Sequence, residues 1–240
     1  MKYLHMTKPE LEKLRPEIAV LPIGSFEQHG PHLPIGTDNY QIEAVADIVA
    51  RELGAFLLPV QPLTTCYEHH GKRGSVHFTA DVFYKVLVGL VERLYRNGFR
   101  KVAILCGHGG IFVLGPAIRH LNYTYKDLMV VSPEGMGIGK DDIHAGESET
   151  STMLFLYPEL VNMEKALDCI PEKPRPYLNY GSFFTHSPEG VWGRATLGTA
   201  EKGKEKMEKS TKALILEIKR LFAEMEGCDY AGKPLEKGEK

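Results

Sequence analysis

Apolar and polar positions follow two different periods along this chain. Short runs that are mostly apolar and bounded by glycine or proline predict buried strands at 18–24, 55–60, 101–106 and 128–132. Longer segments with apolar residues at helical spacing predict helices at 39–53 and 81–97, and the inward face of 81–97 is predicted to include Val82, Leu87 and Val91. Further helices are predicted at 114–123, 146–156 and 199–226. This order of strand and helix predicts an α/β fold, with a mostly parallel sheet covered on both faces.

Length, charge and cysteine spacing narrow the class of protein. At 240 residues and 43% hydrophobic composition, the chain can fill one large core, which predicts a single domain over 1–240. A net charge of −2 argues against nucleic-acid binding, and no apolar run approaches the roughly 18 residues of a membrane helix. The four cysteines form no Cys-x-x-Cys pair and the N-terminus lacks a signal-peptide pattern, which predicts a cytoplasmic protein.

The first candidate site directly follows the first predicted strand, and in open α/β sheets ligands bind at the carboxyl ends of strands. Glu27 and His29 lie two residues apart, so in an extended segment they point the same way, and Asp38 follows soon after. Imidazole and carboxylate groups are ligands of zinc, manganese or iron. Asp38 has a second interpretation, as the N-cap of the helix predicted from Asn39. Beside Glu27 and His29, we favour a metal ligand.

His108 lies among glycines at the end of the third predicted strand. The sequence Gly107-His108-Gly109-Gly110 permits a tight turn from which the imidazole projects. A phosphate-binding glycine loop is the alternative, because backbone amides at a helix start bind anions. Since neither a Walker lysine nor a Gly-x-Gly-x-x-Gly spacing is present, a metal ligand is the favoured interpretation.

The third candidate site combines His144 with Glu149 across a turn of small residues. Both side chains could face one cavity. The alternative is that the acidic residues stabilise a helix, because negative charge is favourable at the positive end of the helix dipole. Elsewhere, we expect the pair His69-His70 at the surface, and we expect Cys106 to pack in the core rather than to act as a nucleophile.

At these three motifs the chain resembles the creatininase (creatinine amidohydrolase) family. The matching pieces are Gly-Ser-Phe-Glu-Gln-His-Gly-Pro-His-Leu-Pro at 24–34 with Thr-Asp at 37–38, Gly-His-Gly-Gly at 107–110, and His-Ala-Gly at 144–146 with Glu-Thr-Ser at 149–151. Weaker matches lie at 190–193 and 200–203, so the resemblance spans about 17–205. It implies a three-layer αβα fold, a metal centre that usually holds two ions, hydrolysis of C–N bonds in a small-molecule substrate, and a homo-oligomer that is often a hexamer.

Carried over position by position, the resemblance implies a set of metal ligands: Glu27, His29, Asp38, His108 and Glu149. It makes Asp38 the carboxylate that bridges two divalent ions, with zinc expected and manganese or iron as alternatives. His144 matches the catalytic histidine, which gives a proton to the leaving nitrogen. Water between two such ions has its pKa lowered to roughly 7, and the resulting bridging hydroxide would attack a small amide, cyclic amide or formamide.

Several positions depart from the family pattern. Ile111 stands where members usually carry asparagine, and Gly109 and Gly110 stand where creatininase proper has tyrosine and glutamate. We expect Glu149 to supply the missing carboxylate. Trp192 is the only tryptophan, so the residues that close over creatinine are missing, and Trp192 is either a packing anchor or a pocket wall. The substrate stays open among creatinine, a formamidopyrimidine and a peptide-like compound.

Two other functions are compatible with the motifs. A mononuclear metalloenzyme could use two histidines and one carboxylate. A metal-stabilised binding or assembly protein could have kept the site and lost the reaction. The segment 170–184, rich in proline and tyrosine, is predicted to be an irregular loop or an edge hairpin, and it acts either as a lid or as a subunit contact.

Overall fold

Parallel strands form the centre of the protein in the computed structural model, which describes residues 6–71, 73–134, 141–172 and 178–226. The 4-stranded sheet has the order β2-β1-β3-β4, and all neighbouring strands in it are parallel. Its strands are β1 (Ile18–Ile23), β2 (Phe56–Leu57), β3 (Lys101–Cys106) and β4 (Met129–Val131). The helices are α1 (Lys8–Leu14), α2 (Thr37–Leu53), α3 (Ala80–Arg96), α4 (Leu114–Thr124), α5 (Glu147–Leu156) and α6 (Ala200–Glu226).

Helices cover both faces of this sheet. Successive residues of β1 point to opposite faces, so Val20 packs in a cluster with Val45 of α2 and Ile218 of α6. Leu21 packs on the other face, in a cluster with Leu87 of α3 and further side chains of α4. All of these side chains are buried. The predicted three-layer αβα arrangement with a mostly parallel central sheet is confirmed.

The bounds of α2 and β2 differ from the sequence prediction by two residues or more. α2 begins at residue 37 rather than 39 and has Gly36 as its N-cap, so the capping interpretation of Asp38 is wrong. Asp38 instead lies in the first turn, where a carboxylate is favourable against the helix dipole. β2 is only Phe56–Leu57, because Pro59 cannot donate a ladder hydrogen bond, although Gln61 again bridges to β1.

One predicted inward position of α3 is wrong. Val82 is 40% exposed, whereas its neighbour Phe83 is fully buried against the sheet. A phenylalanine side chain buries more apolar area than a valine side chain. Packing therefore favours the rotation of α3 about its axis that turns Phe83 toward the sheet.

The C-terminal part adds a small second sheet beside the first. β5 (Asp168–Cys169) pairs antiparallel with β6 (Gly193–Arg194), and a short 3-10 turn spans Phe183–Thr185. Within the predicted loop 170–184, residues 173–177 lie outside the described part of the chain. α6 packs against α5 and α2. Among the described residues, no helix combines the length and the apolar composition that a membrane span requires.

Candidate metal centre

The loops that follow β1 and β3 begin side by side at one edge of the sheet. The two strands stay in register to their last residues, so their carboxyl ends coincide. A Cβ atom at position 107 would lie 2.9 Å from Ile42 Cβ and 3.2 Å from the main-chain oxygen of Asp38. Gly107 therefore lets the loop that carries His108 cross close to the first turn of α2.

Asp38 lies between two histidines and presents one carboxylate oxygen to each. Its Oδ1 is 3.2 Å from His29 Nε2, and its Oδ2 is 3.3 Å from His108 Nδ1. All three side chains are buried. The residues on either side of Asp38 form two groups. The His29 side comprises His29 and Glu149, the His108 side comprises His108, Glu27 and Glu68, and Asp38 belongs to both.

On the His29 side, the first turn of α5 supplies a second carboxylate. Glu149 Oε2 lies 3.7 Å from His29 Nε2, and the backbone amide of Ala145 donates a hydrogen bond to the same oxygen. Ala145 has a φ of 49°, a conformation that costs a residue with a Cβ about 1–2 kcal/mol. The ligand atoms of His29, Asp38 and Glu149 all lie within 4.8 Å of one another, so they could hold one metal ion.

On the His108 side, the donor atoms come from three loops. Glu27 Oε2 lies 3.1 Å from His108 Nδ1, and the Ser25 hydroxyl donates a 2.7 Å hydrogen bond to that oxygen. The other ring nitrogen, His108 Nε2, lies 3.1 Å from Glu68 Oε1. The imidazole therefore faces Glu27 and Asp38 with one nitrogen and Glu68 with the other.

Several buried polar atoms here have no hydrogen-bond partner among the described residues, and they include Glu27 Oε1 and Asp38 Oδ2. An unpaired buried carboxylate oxygen is costly and calls for an unseen partner such as an ion. Ligand bonds of 2.0–2.2 Å around one ion set neighbouring donor atoms about 3–3.5 Å apart. The N···O separations of 3.1–3.3 Å at Asp38 and Glu27 match that spacing. The residues present thus fit divalent metal ions.

Charge balance differs between the two sides. Burial opposes ionisation of Glu27, but the nearby imidazoles of His108 and His69 hold the pKa of Glu27 well below its usual range. Burial alone would lower the pKa of His29, yet the carboxylates around it, Asp38 first, raise that pKa to about 10. For Glu149 burial dominates and raises the pKa. Without metal, protons on imidazoles balance the carboxylates, which is the charge that a cation would replace.

His144 reaches the same cavity from the turn before α5. Its Nε2 lies 2.7 Å from the main-chain oxygen of Gln28, and its Nδ1 lies 3.6 Å from Glu27 Oε1. A carbonyl oxygen only accepts, so Nε2 carries the hydrogen and Nδ1 is the nitrogen turned toward the carboxylates. Burial, followed by the charges of His29 and His69, holds the pKa of His144 well below its usual range. The imidazole is therefore kept neutral.

Trp192 is a packing anchor. Its side chain is 2% exposed and packs against Phe183 with the two rings tilted at 57°. Its backbone exchanges two hydrogen bonds with His144, from His144 N to Trp192 O at 3.1 Å and from Trp192 N to His144 O at 2.7 Å. The residues that line the cavity do not include it. Trp192 thus fixes the backbone from which the His144 imidazole projects.

The expectation that His69 lies at the surface is wrong. His69 is 2% exposed and its Nε2 lies 3.3 Å from Glu27 Oε1, whereas His70 is exposed as expected. Sequence reasoning also missed Glu68. Both belong to a loop without strand or helix periodicity, and the available signal was the uncharged run Leu63-Thr64-Thr65-Cys66 before them, which is typical of a buried segment.

The donor atoms open into a cavity of about 830 Å³. Tyr67, Phe112 and Phe183 contribute apolar wall, and Lys206 is the only lysine or arginine among the described lining residues. Cys106 also reaches this cavity, but burial raises its thiol pKa to about 12, which agrees with a packing role.

Comparison with known sequences gives consistent matches over nearly the whole chain. The family model described as Creatininase: Creatinine amidohydrolase matches residues 4–218. The chain is 30% identical to a 3-dehydro-scyllo-inosose hydrolase of Thermotoga maritima, covering 90% of this chain and 80% of that protein. It is also 30% identical to a creatinine amidohydrolase of Pseudomonas putida (85% and 90% covered) and to a mycofactocin precursor peptide peptidase of Mycolicibacterium smegmatis (92% and 86% covered).

Solved structures give the same picture. A crystal structure of creatinine amidohydrolase (creatininase) superposes with a TM-score of 0.78 at 26% identity, covering 91% of this chain and 96% of the other. A mutant creatininase of Zn–Zn type superposes with a TM-score of 0.76 at 25% identity, covering 91% and 96%.

Proposed function

Because the chain belongs to the creatininase (creatinine amidohydrolase) family, a family of hydrolases acting on C–N bonds other than peptide bonds, we propose that it is a dinuclear metal-dependent amidohydrolase. Its substrate would be a small amide, cyclic amide or formamide. The observation that carries this proposal is the position of Asp38. Its two oxygens lie 3.2 and 3.3 Å from nitrogens of two different histidines, as a carboxylate shared by two ions requires.

The proposed ligands are His29 and Glu149 for one ion, Glu27 and His108 for the other, and Asp38 for both. When bound, two divalent ions would supply an activated water of pKa near 7 and polarise the substrate carbonyl. Zinc is the first candidate, because a related creatininase has a Zn–Zn form and because imidazole with carboxylate suits zinc. Manganese and iron remain alternatives of similar ligand chemistry.

We assign proton transfer to His144 Nδ1. The tie from Nε2 to the Gln28 carbonyl, at 2.7 Å, leaves Nδ1 free to exchange a proton. The lowered pKa of His144 keeps Nδ1 unprotonated at the start, ready to accept the proton released when water adds to the carbonyl. The same nitrogen then gives that proton to the departing amine, which cannot leave as an anion.

The identity of the substrate is the open part of this proposal. The names of the relatives concern creatinine, a precursor peptide and 3-dehydro-scyllo-inosose, a polyhydroxylated cyclohexane ketone without an amide. The single domain, the cytoplasmic location and the homo-oligomer, hexameric by resemblance, are further parts of the proposal, and light scattering after size-exclusion chromatography tests the oligomer.

The test uses His144→Ala, with the exposed His120→Ala as matched control. Both variants and the parent are loaded with zinc or manganese and assayed against creatinine, formamides, a small peptide set and a cyclic ketone. We expect His144→Ala to keep its metal while kcat falls by about 10²-fold or more, and His120→Ala to behave as the parent.

Normal turnover in His144→Ala would remove this residue from the reaction. A loaded parent that turns over no member of the panel would favour a metal-stabilised binding or assembly protein. A single ion per chain with activity would favour a mononuclear metalloenzyme.

A further inference from the structure

We propose that Glu68 is a positioning residue of the metal centre: its carboxylate orients the His108 imidazole by accepting the Nε2 hydrogen while Nδ1 binds metal. This inference rests on the proposed function, because it concerns the ion bound by Glu27 and His108. It adds a residue that no sequence motif pointed to.

The chemistry of a metal-bound imidazole creates the need for such a residue. If Nδ1 of His108 is the ligand, as its 3.1 and 3.3 Å distances to Glu27 and Asp38 indicate, then Nε2 must carry hydrogen. Metal-binding histidines almost always direct that second N–H to a carboxylate or carbonyl, which fixes the ring and raises its basicity. His108 Nε2 is buried and has no hydrogen-bond partner within bonding geometry among the described residues.

Glu68 is placed to meet that need. Its Oε1 lies 3.1 Å from His108 Nε2, and the side chain is only 14% exposed. Among the described residues, His108 is its one ion-pair partner, so no lysine or arginine within 4 Å accounts for the buried charge. A small turn of the imidazole on metal binding would align the N–H with the carboxylate.

Gly110 leaves the space that Glu68 fills. A Cβ atom at position 110 would overlap both Glu68 Oε1 and His108 Nε2. Glu149, which we expect to supply the carboxylate missing at position 110, lies on the His29 side, 3.7 Å from His29. The carboxylate directly next to Gly110 belongs to Glu68.

A hydrogen bond connects the loop of Glu68 to the loop of His108: the Thr65 hydroxyl donates to the main-chain oxygen of Gly110 at 2.9 Å. A second bond, from Phe78 N to Thr64 O at 2.9 Å, closes the segment that carries Glu68 on itself. Thr64 and Thr65 are both fully buried. The contact between Glu68 and His108 therefore belongs to two packed segments rather than to a loose surface loop.

The test measures zinc affinity by chelator competition in Glu68→Ala, Glu68→Gln and, as control, Glu92→Gln, whose carboxylate pairs with Tyr125 on the outer face. Glutamine keeps the acceptor oxygen and loses only the charge. Of the two zinc affinities of Glu68→Ala, we expect the lower one to be about 10–100-fold weaker than the corresponding affinity of the parent. Glu68→Gln should recover most of that loss.

Two results would overturn the proposal. Parent-like affinity in Glu68→Ala would make the contact incidental. Affinity in Glu68→Gln as poor as in Glu68→Ala would make the charge itself the requirement, and Glu68 a direct ligand. Thermal unfolding of each variant in excess chelator shows that the fold is intact. Either failure would leave the two-ion proposal standing, because that proposal depends on Asp38 and His144.

Discussion

The two sides of the candidate metal centre are built differently. On the His29 side, both carboxylates stand in the first turns of helices, Asp38 in α2 and Glu149 in α5, so regular backbone holds them. On the His108 side, apart from the shared Asp38, Glu27 and His108 come from loops and Glu68 comes from a single 3-10 turn, Tyr67–His69. The difference shows that one half of a site can inherit its geometry from secondary structure while the other depends on contacts between loops. Substitutions in those loops should therefore affect one ion and spare the other.

The largest expected effect is the loss of one bound ion when the glutamate ligand of one side is replaced by glutamine. We expect Glu27→Gln and Glu149→Gln each to reduce bound metal from about two ions per chain to about one, with affinity at the altered side falling by more than about 100-fold. Amide nitrogen and oxygen replace a charged ligand poorly. Of the two proposed histidine ligands, the one in ion-pair contact with Glu27 is His108, at 3.1 Å, and the one in contact with Glu149 is His29, at 3.7 Å. Elemental analysis after dialysis gives the count. Loss of both ions in both variants would show that the sides are not separable.

A methyl group at position 110 should disturb the His108 side alone. Gly110 lies outside the positive-φ region, so alanine fits its backbone, but the added Cβ would overlap Glu68 and His108. We expect Gly110→Ala to weaken zinc binding on that side about 10–100-fold, as loss of an orienting partner does. Gly115→Ala is the matched control, because nothing lies within 4 Å of its Cβ. Equal affinity in both variants would contradict the close packing inferred here.

The smallest effect on zinc affinity should come from removing the hydrogen bond between the loop of Glu68 and the loop of His108. Thr65→Val keeps the shape of the side chain and removes its hydrogen bond to Gly110 O. We expect the free energy of unfolding to fall by about 1 kcal/mol, the net contribution of one hydrogen bond, because the backbone amide of Phe112 still donates to Gly110 O at 3.0 Å. Zinc affinity should fall less than in Gly110→Ala. Urea unfolding measures the first effect, with exposed Thr124→Val as control, and an unchanged unfolding midpoint would count against this hydrogen bond.

Much of the fold followed from the sequence, because each strand of the parallel sheet lies within an apolar run and helices such as α2 and α3 repeat apolar residues at the helical period. The three motifs also predicted which residues would gather, since the carboxyl ends of parallel strands meet at one edge. Donor atoms of Glu27 and His29 do lie within 4.8 Å of each other, yet the two residues make their shortest histidine and carboxylate contacts on opposite sides of Asp38. Their spacing in the sequence could not show that Glu27 belongs to the His108 side and His29 to the other side.

The loop between β2 and α3 was beyond sequence reasoning. Its position depends on tertiary hydrogen bonds such as Val76 N to Phe26 O at 2.9 Å, which leave no periodic pattern in the sequence. For that reason His69 was expected at the surface, and Glu68 was not considered. The sequence also did not explain why Ile111 stands where family members usually carry asparagine. In the structure this side chain is 7% exposed and packs in the core beneath the site.

Metal content per chain in the parent protein and in Asp38→Ala tests the central claim most directly. Elemental analysis is made on protein purified without chelator and reloaded with zinc, beside Asp47→Ala, whose carboxylate pairs with Arg51 on the exposed face of α2. We predict about two ions in the parent and in Asp47→Ala, and a large loss from both sides in Asp38→Ala. One ion in the parent, or two ions retained in Asp38→Ala, would contradict a carboxylate shared between two metals.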